Sequence, residues 1–165
     1  MLALGIDPGT ETTGYALVDE DACGNLHLLD YGVIKTHKDA NPEKRLQTIF
    51  SELTNIISLH HPTTGAVEKL FFQKNVTNAI VVGQARGVIL LAMAQAGIEI
   101  LEYSPQAVKI SVTGYGAADK KQVQVMVKTI LNMKEIPKPD DAADAIAIAI
   151  CHLHAIGYRS RLHEN

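Results

Sequence analysis

The sequence predicts an α/β protein: one five-stranded mixed sheet, three antiparallel strands followed by two parallel ones, with helices on both faces. Three observations carry this. The first third of the chain is a series of apolar runs separated by short turns, with little helical spacing. From residue 41 onward, helix-period stretches alternate with short β-rich runs, the pattern of strand–helix–strand crossovers. Finally, 165 residues that are 47% hydrophobic and 20% charged can bury one substantial core without splitting into lobes.

Leu2 to Asp7 is apolar until its last residue and reads as a buried strand. Pro8-Gly9-Thr10 turns the chain into a second strand, Tyr15 to Val18, which the short turn makes antiparallel to the first. Gly24 marks another turn, and the alternation from Leu26 to Ile34 makes a third strand. Asn41-Pro42 supplies an N-cap followed by proline at the first helical position, and Leu46, Ile49, Phe50, Leu53, Ile56 and Ile57 recur at helical spacing up to Pro62. Gly65 to Leu70 is the fourth strand. A long helix from about Thr77 to Ala96, stopped by Gly97, leads to the fifth strand, Ile98 to Tyr103. Ser104-Pro105 starts a short helix, Gly114-Tyr115-Gly116 is a loop, and Asp119 with Gln122 forms a capping box for a helix through Leu131. The last helix runs from Asp140 to about His154, with a short basic tail from about residue 157, so residues 1–165 read as one domain.

Charge narrows the function classes. The net charge of −3 excludes a protein that coats nucleic acid through overall positive potential. Its distribution is uneven: residues 1–60 carry 4 basic and 9 acidic side chains, whereas residues 61–130 carry 7 and 4. A basic middle flanked by acidic ends suits a local polyanion track beside a carboxylate cluster. Cys23 and Cys151 have no C-x-x-C spacing, no signal-peptide pattern is present and no apolar run is long enough to span a membrane, so a reduced cytoplasmic compartment is expected.

Four carboxylates stand in apolar surroundings. Asp7 ends a buried strand, Glu68 interrupts another, and Asp141 and Asp144 lie one turn apart on the last helix. Unpaired buried carboxylates cost several kcal/mol each, and gathered together they raise one another's pKa. Divalent cations remove both problems. Mg²⁺ takes oxygen ligands and only one or two protein carboxylates apiece, so four suit a pair of ions, Mn²⁺ being an alternative. Ligands of open α/β sheets gather beyond the carboxyl ends of the parallel strands, where Asp7 and Glu68 emerge; two ions there would clamp a phosphodiester for hydrolysis. Blander readings stand beside this one: Asp140 or Asp141 as a helix cap, Asp7 as a turn residue, Glu68 in an ion pair with Lys69 or Lys74.

Lys69, Lys74, Arg86, Lys109, Lys120 and Lys121 are the basic residues nearest this site. Lys120 and Lys121 open a helix after a glycine-rich loop, a place for phosphate or simply a solvated helix end. Phe71 and Phe72 follow Glu68; one belongs to the core, and the other is placed to stack on an unpaired base. The seven histidines are scattered and read as structural or surface residues.

Taken in order, Gly-Ile-Asp-Pro-Gly (5–9), Val-Glu-Lys-Leu-Phe (67–71), Gly-Gln-Ala-Arg-Gly (83–87), Val-Lys (108–109), Asp-Lys-Lys-Gln-Val-Gln (119–124) and Asp-Ala-Ala-Asp-Ala (141–145) resemble the RuvC-type Holliday junction resolvases over nearly the whole chain. That resemblance implies a ribonuclease-H-like fold and a homodimeric, Mg²⁺-dependent endonuclease that nicks two opposed strands of a four-way DNA junction. It implies Asp7, Glu68, Asp141 and Asp144 as catalytic ligands, with Asp140 and Asp144 as the fallback pair. Phe71 then resembles the aromatic at the junction crossover, with Phe72 its alternative, and Lys109 and Lys120 resemble phosphate contacts. A branch-migration complex, a junction-binding protein with its ATPase motor, becomes the expected partner. Two other classes compete. Residues 5–10 are also similar to the first phosphate loop of actin-like ATPases, which need a second lobe that 165 residues do not supply. A catalytically silent junction-binding module would not need four intact carboxylates.

Overall fold

A computed structural model of the chain describes residues 1–69 and 76–163. Strands β1 (Leu2–Asp7), β2 (Thr12–Glu20) and β3 (Leu26–Lys35) come first. They are followed by α1 (Pro42–His60), β4 (Thr64–Glu68), α2 (Val76–Gln95), β5 (Glu99–Tyr103), α3 (Pro105–Thr113), α4 (Lys120–Ile130) and α5 (Asp140–His163). All five strands form one sheet in the order β3-β2-β1-β4-β5. The β1–β2 and β2–β3 pairs are antiparallel, and the β1–β4 and β4–β5 pairs are parallel, as the turn lengths and crossovers require.

Strand alternation divides the interior into two layers. On one face Leu4, Ile6, Leu17 and Val67 pack against Ile49 and Leu53 of α1 and Ile89 and Met93 of α2. On the other, Ala3, Ala16, Val18 and Ala66 meet α5, with Val108 of α3 and Val123 and Val127 of α4 completing the layer. Each fully buried aliphatic chain contributes roughly 1.5–3 kcal/mol, and both layers draw on every central strand. The α5 face is built of small residues for a reason. A Cβ added at Gly5 would run into the carbonyl oxygen of Ala145, and one added at Gly14 into that of Asp141. Absent side chains let α5 lie almost directly on β1 and β2, which lowers its first turn onto the sheet edge.

The predicted caps are partly realised. Ser104 Oγ accepts from the Ala107 N–H at 3.1 Å. Asp119 and Gln122 form the reciprocal box, each bond 2.8 Å. Asn41 departs from expectation: α1 starts at Pro42, but the Asn41 side chain makes no capping bond, and its carbonyl takes the Lys44 and Arg45 N–H groups instead. Two boundaries also move. β4 ends at Glu68 instead of Leu70, and α5 continues past His154 to His163, absorbing most of the expected tail, because a lone Gly157 costs only about 1 kcal/mol in a helix with no proline to stop it. Leu70, Phe71, Phe72 and Lys74 lie outside the described residues.

Candidate active site

The alternation that builds the two layers also aims the acids. Ala3 and Gly5 face α5, so Asp7, two residues on, faces it too; Thr64 and Ala66 face α5, so Glu68 does as well. The parallel register pairs Ile6 with Val67, which sets Asp7 and Glu68 side by side at the carboxyl ends of β1 and β4. α5 begins above that edge. Its close seat on Gly14 holds Asp141 there, and Asp144 lies one turn further along the same helix. Four carboxylates from three separate segments therefore lie at one rim, where Glu68, Asp144 and Asp141 all act on Asp7.

Their electrostatics record the crowding. Asp7 is raised from 3.8 to about 8, first by burial and then by the charges of Glu68, Asp144 and Asp141, with Lys120 opposing. Burial also raises Glu68, Asp144 adding to the effect and Lys109 countering it. Asp144 is raised by burial against the pull of Lys120. The site is thus short of positive charge, and its donors are all hard oxygens, which fits a divalent cation such as Mg²⁺. Among the described residues no three acidic, imidazole or thiol groups are drawn in tightly enough to cage an ion by themselves.

Two of the expected cations belong to this rim. Lys120 Nζ lies 3.0 Å from Asp144 Oδ2 and 3.4 Å from Asp140 Oδ2. Lys109, Lys120, Glu68 and Asp144 line one cleft of about 200 Å³, backed by Val108 and Ala147. A second cleft of about 390 Å³ lies between the Gly9–Thr12 turn, Val81, Val82 and Asp141. Two more of the expected cations, Arg86 and Lys121, sit elsewhere. Arg86 pairs with Glu102, bridging α2 and β5. Lys121 lines a more apolar 440 Å³ hollow with Tyr115, Val125 and Met126. Glu68 has no ion pair with Lys69 among the described residues.

Some supporting residues escaped the sequence reading. Thr13, fully buried, donates to the Gly9 carbonyl at 2.6 Å, and Thr36 donates to the Thr10 carbonyl at 2.5 Å while accepting from Arg45 Nε at 2.9 Å. Together they fix the turn that leaves Asp7. His152, also fully buried, bonds Thr64 Oγ1 at 2.6 Å and Tyr103 at 3.1 Å, tying α5 to β4 and β5. Side-chain pairs between segments far apart in sequence leave no periodic trace, so only the polar residue at an apolar helix position hinted at His152.

Known proteins resemble this chain in sequence and in fold. The family model described as crossover junction endodeoxyribonuclease RuvC matches residues 3–152. A crossover junction endodeoxyribonuclease RuvC of Heliobacterium modesticaldum is 53% identical over 156 residues, spanning 94% of this chain and 96% of that protein. The solved structure of Thermus thermophilus RuvC superposes with a TM-score of 0.87 at 35% identity, covering 95% of this chain and 96% of that one. The T. thermophilus RuvC structure in complex with a Holliday junction substrate gives a TM-score of 0.89 at the same identity and coverage.

Proposed function

This chain belongs to the RuvC family of crossover junction endodeoxyribonucleases; its reaction is the resolution of four-way DNA junctions, and we propose that Asp7, Glu68, Asp141 and Asp144 carry it out. The observation behind this assignment is the convergence of four carboxylates at one sheet edge, with Asp7 raised to about 8 by burial and by its neighbours.

In this reading the four carboxylates hold two Mg²⁺ ions per subunit, Mn²⁺ being an alternative. Bound there, the ions would lower the pKa of a water nucleophile and offset charge on the leaving oxygen. Asp7, whose carboxyl feels the charges of the other three, would hold the ions together with them. Lys109 and Lys120 line the cleft and receive the phosphate flanking the scissile bond. Lys74, Arg86 and Lys121 contact the arms of the junction, and Phe71 or Phe72 stacks at its crossover.

Cutting two opposed strands needs two copies of the site, and we place the homodimer contact on α2. Ile80, Val81 and Leu91 are exposed on it, and Gly83 and Gly87 have open space where a side chain would project. In the cell the dimer works in the cytoplasm on junctions held by a branch-migration complex.

The test is a synthetic four-way junction beside a linear duplex, with and without Mg²⁺, with ATP hydrolysis followed in parallel. Paired nicks confined to the junction and dependent on the cation are expected; ATP turnover without nicking would overturn the reading.

A further inference from the structure

Asp140 opens α5 immediately before Asp141, and its carboxylate is held twice. Gln124 Nε2 donates to Oδ1 at 3.0 Å, and Lys120 Nζ lies 3.4 Å from Oδ2. The same ammonium is 3.0 Å from Asp144 Oδ2, so one cation on α4 bridges two acids spaced i, i+4 on α5. The two acids differ in setting. The Asp140 side chain is 64% exposed against 35% for Asp144.

We propose that Asp140 is a positioning residue which, with Gln124, tethers the Lys120 ammonium beside the carboxylate cleft, and that it is not itself a metal ligand. The inference rests on the nuclease reading given above. In that reading Asp144 gives its oxygens to a divalent ion, and the ion then repels the ammonium that had been Asp144's partner. A lysine stem has four flexible carbons and strong hydration, so an ammonium released by Asp144 alone would swing into solvent. Asp140 stands outside the buried cluster and keeps its hold. Gln124, one turn along α4 from Lys120, fixes the Asp140 carboxylate in turn, and the three residues form a short network across the α4–α5 seam. The ammonium is thereby kept lining the cleft that Glu68 and Lys109 share. Asp140 acts through Lys120 and touches no reacting atom.

The experiment is a double-mutant cycle in single-turnover nicking of a saturating synthetic junction with Mg²⁺. D140A should slow nicking about tenfold, the usual size of one lost charge-assisted contact, while junction affinity changes far less. K120A should slow it more, and D140A should add nothing in the K120A background. Asp140→Glu should restore part of the rate, and Asp140→Asn, which preserves the Gln124 bond and the helix start, covers the case of a poorly folded alanine variant. A wild-type rate in D140A and D140N, or additive losses in the cycle, would overturn the tether. Calcium-induced stabilisation, read as a shift in melting temperature, distinguishes a ligand: it should persist in D140A and vanish in D141N. Its loss in D140A would make Asp140 a ligand and end the proposal. If the wild-type protein nicks and the cycle is additive, only the tether fails; if it does not nick junctions at all, the nuclease reading fails and takes the tether with it.

Discussion

Asp7 shows how a single side chain can oppose stability. Its carboxyl is raised from 3.8 to about 8, so between those values the folded protein binds a proton that the unfolded chain has released. Stability therefore falls as pH rises from about 4 to about 8, by an amount on the order of several kcal/mol before any cation binds. Asp7→Asn removes that burden. We expect the variant to melt higher than the wild type in chelator at pH 8, to lose the advantage at pH 4, and to nick no junction with Mg²⁺. A variant that melts lower at pH 8 would show that the acid is not crowded. Protons and cations also compete for Asp7, so the apparent Mg²⁺ affinity of the wild type should rise with pH up to about 8; an affinity that is flat from pH 6 to 8 would count against its role as a ligand. Lys120 is the complementary case. Asp144 and Asp140 raise its pKa against the opposing effect of burial, so it is cationic throughout the working range. Lys120→Ala should slow nicking and reduce the salt dependence of junction binding by about one phosphate's worth; an unchanged slope would mean that the ammonium serves only the protein.

At the scale of elements, the site depends on how closely α5 approaches the sheet, and two glycines set that distance. A methyl at Gly14 has nowhere to go, because the obstacle is the Asp141 backbone, which no rotamer change can move aside. Gly14→Ala should therefore displace the first turn of α5, costing about 1–3 kcal/mol and reducing nicking by more than the loss of folded protein accounts for. Equal losses of stability and rate, seen by comparing melting curves with rates at low temperature, would show that α5 tolerates the shift. Much of this is legible in the sequence. The antiparallel meander and the parallel pair after it follow from turn lengths and a crossover, and Asp7, Glu68, Asp141 and Asp144 are conspicuous because a charge at an apolar position needs a reason. The capping box at Asp119 was equally readable, since both its bonds are local. What stayed hidden depends on packing between distant segments. Neither the use of Gly5 and Gly14 as landing places for α5 nor the bond from His152 to Thr64 has a sequence period. The same limit applies to Lys120: its position at a helix start after a loop was visible, but its two carboxylate partners come from α5.

For the whole molecule, the arithmetic of the reaction asks for two active sites, and α2 carries exposed apolar side chains at Ile80, Val81 and Leu91. Gly83, Gly87 and Leu91 recur every four residues along one stripe, with Ile80 beside it. Each helical glycine costs up to about 1 kcal/mol relative to alanine, and among the described residues nothing lies where a side chain on either would project. Close approach of a second α2 would explain the glycines and cover Leu91, which is 51% exposed. The opposite face of α2, through Ala85, Ile89 and Met93, is already committed to the core, so the stripe can change without touching the fold. Leu91→Asp should then leave the melting temperature of the isolated subunit nearly unchanged while light scattering shows monomers, because two apposed aspartates at a closed contact repel and lose hydration. On a junction closed in a plasmid, the wild type should cut both opposed strands before release, whereas the variant should accumulate singly nicked product. The four carboxylates are intact in that variant, so what it loses is the pairing of cuts and not the chemistry of either. A variant that still scatters as a dimer and still cuts in pairs would move the contact to another face.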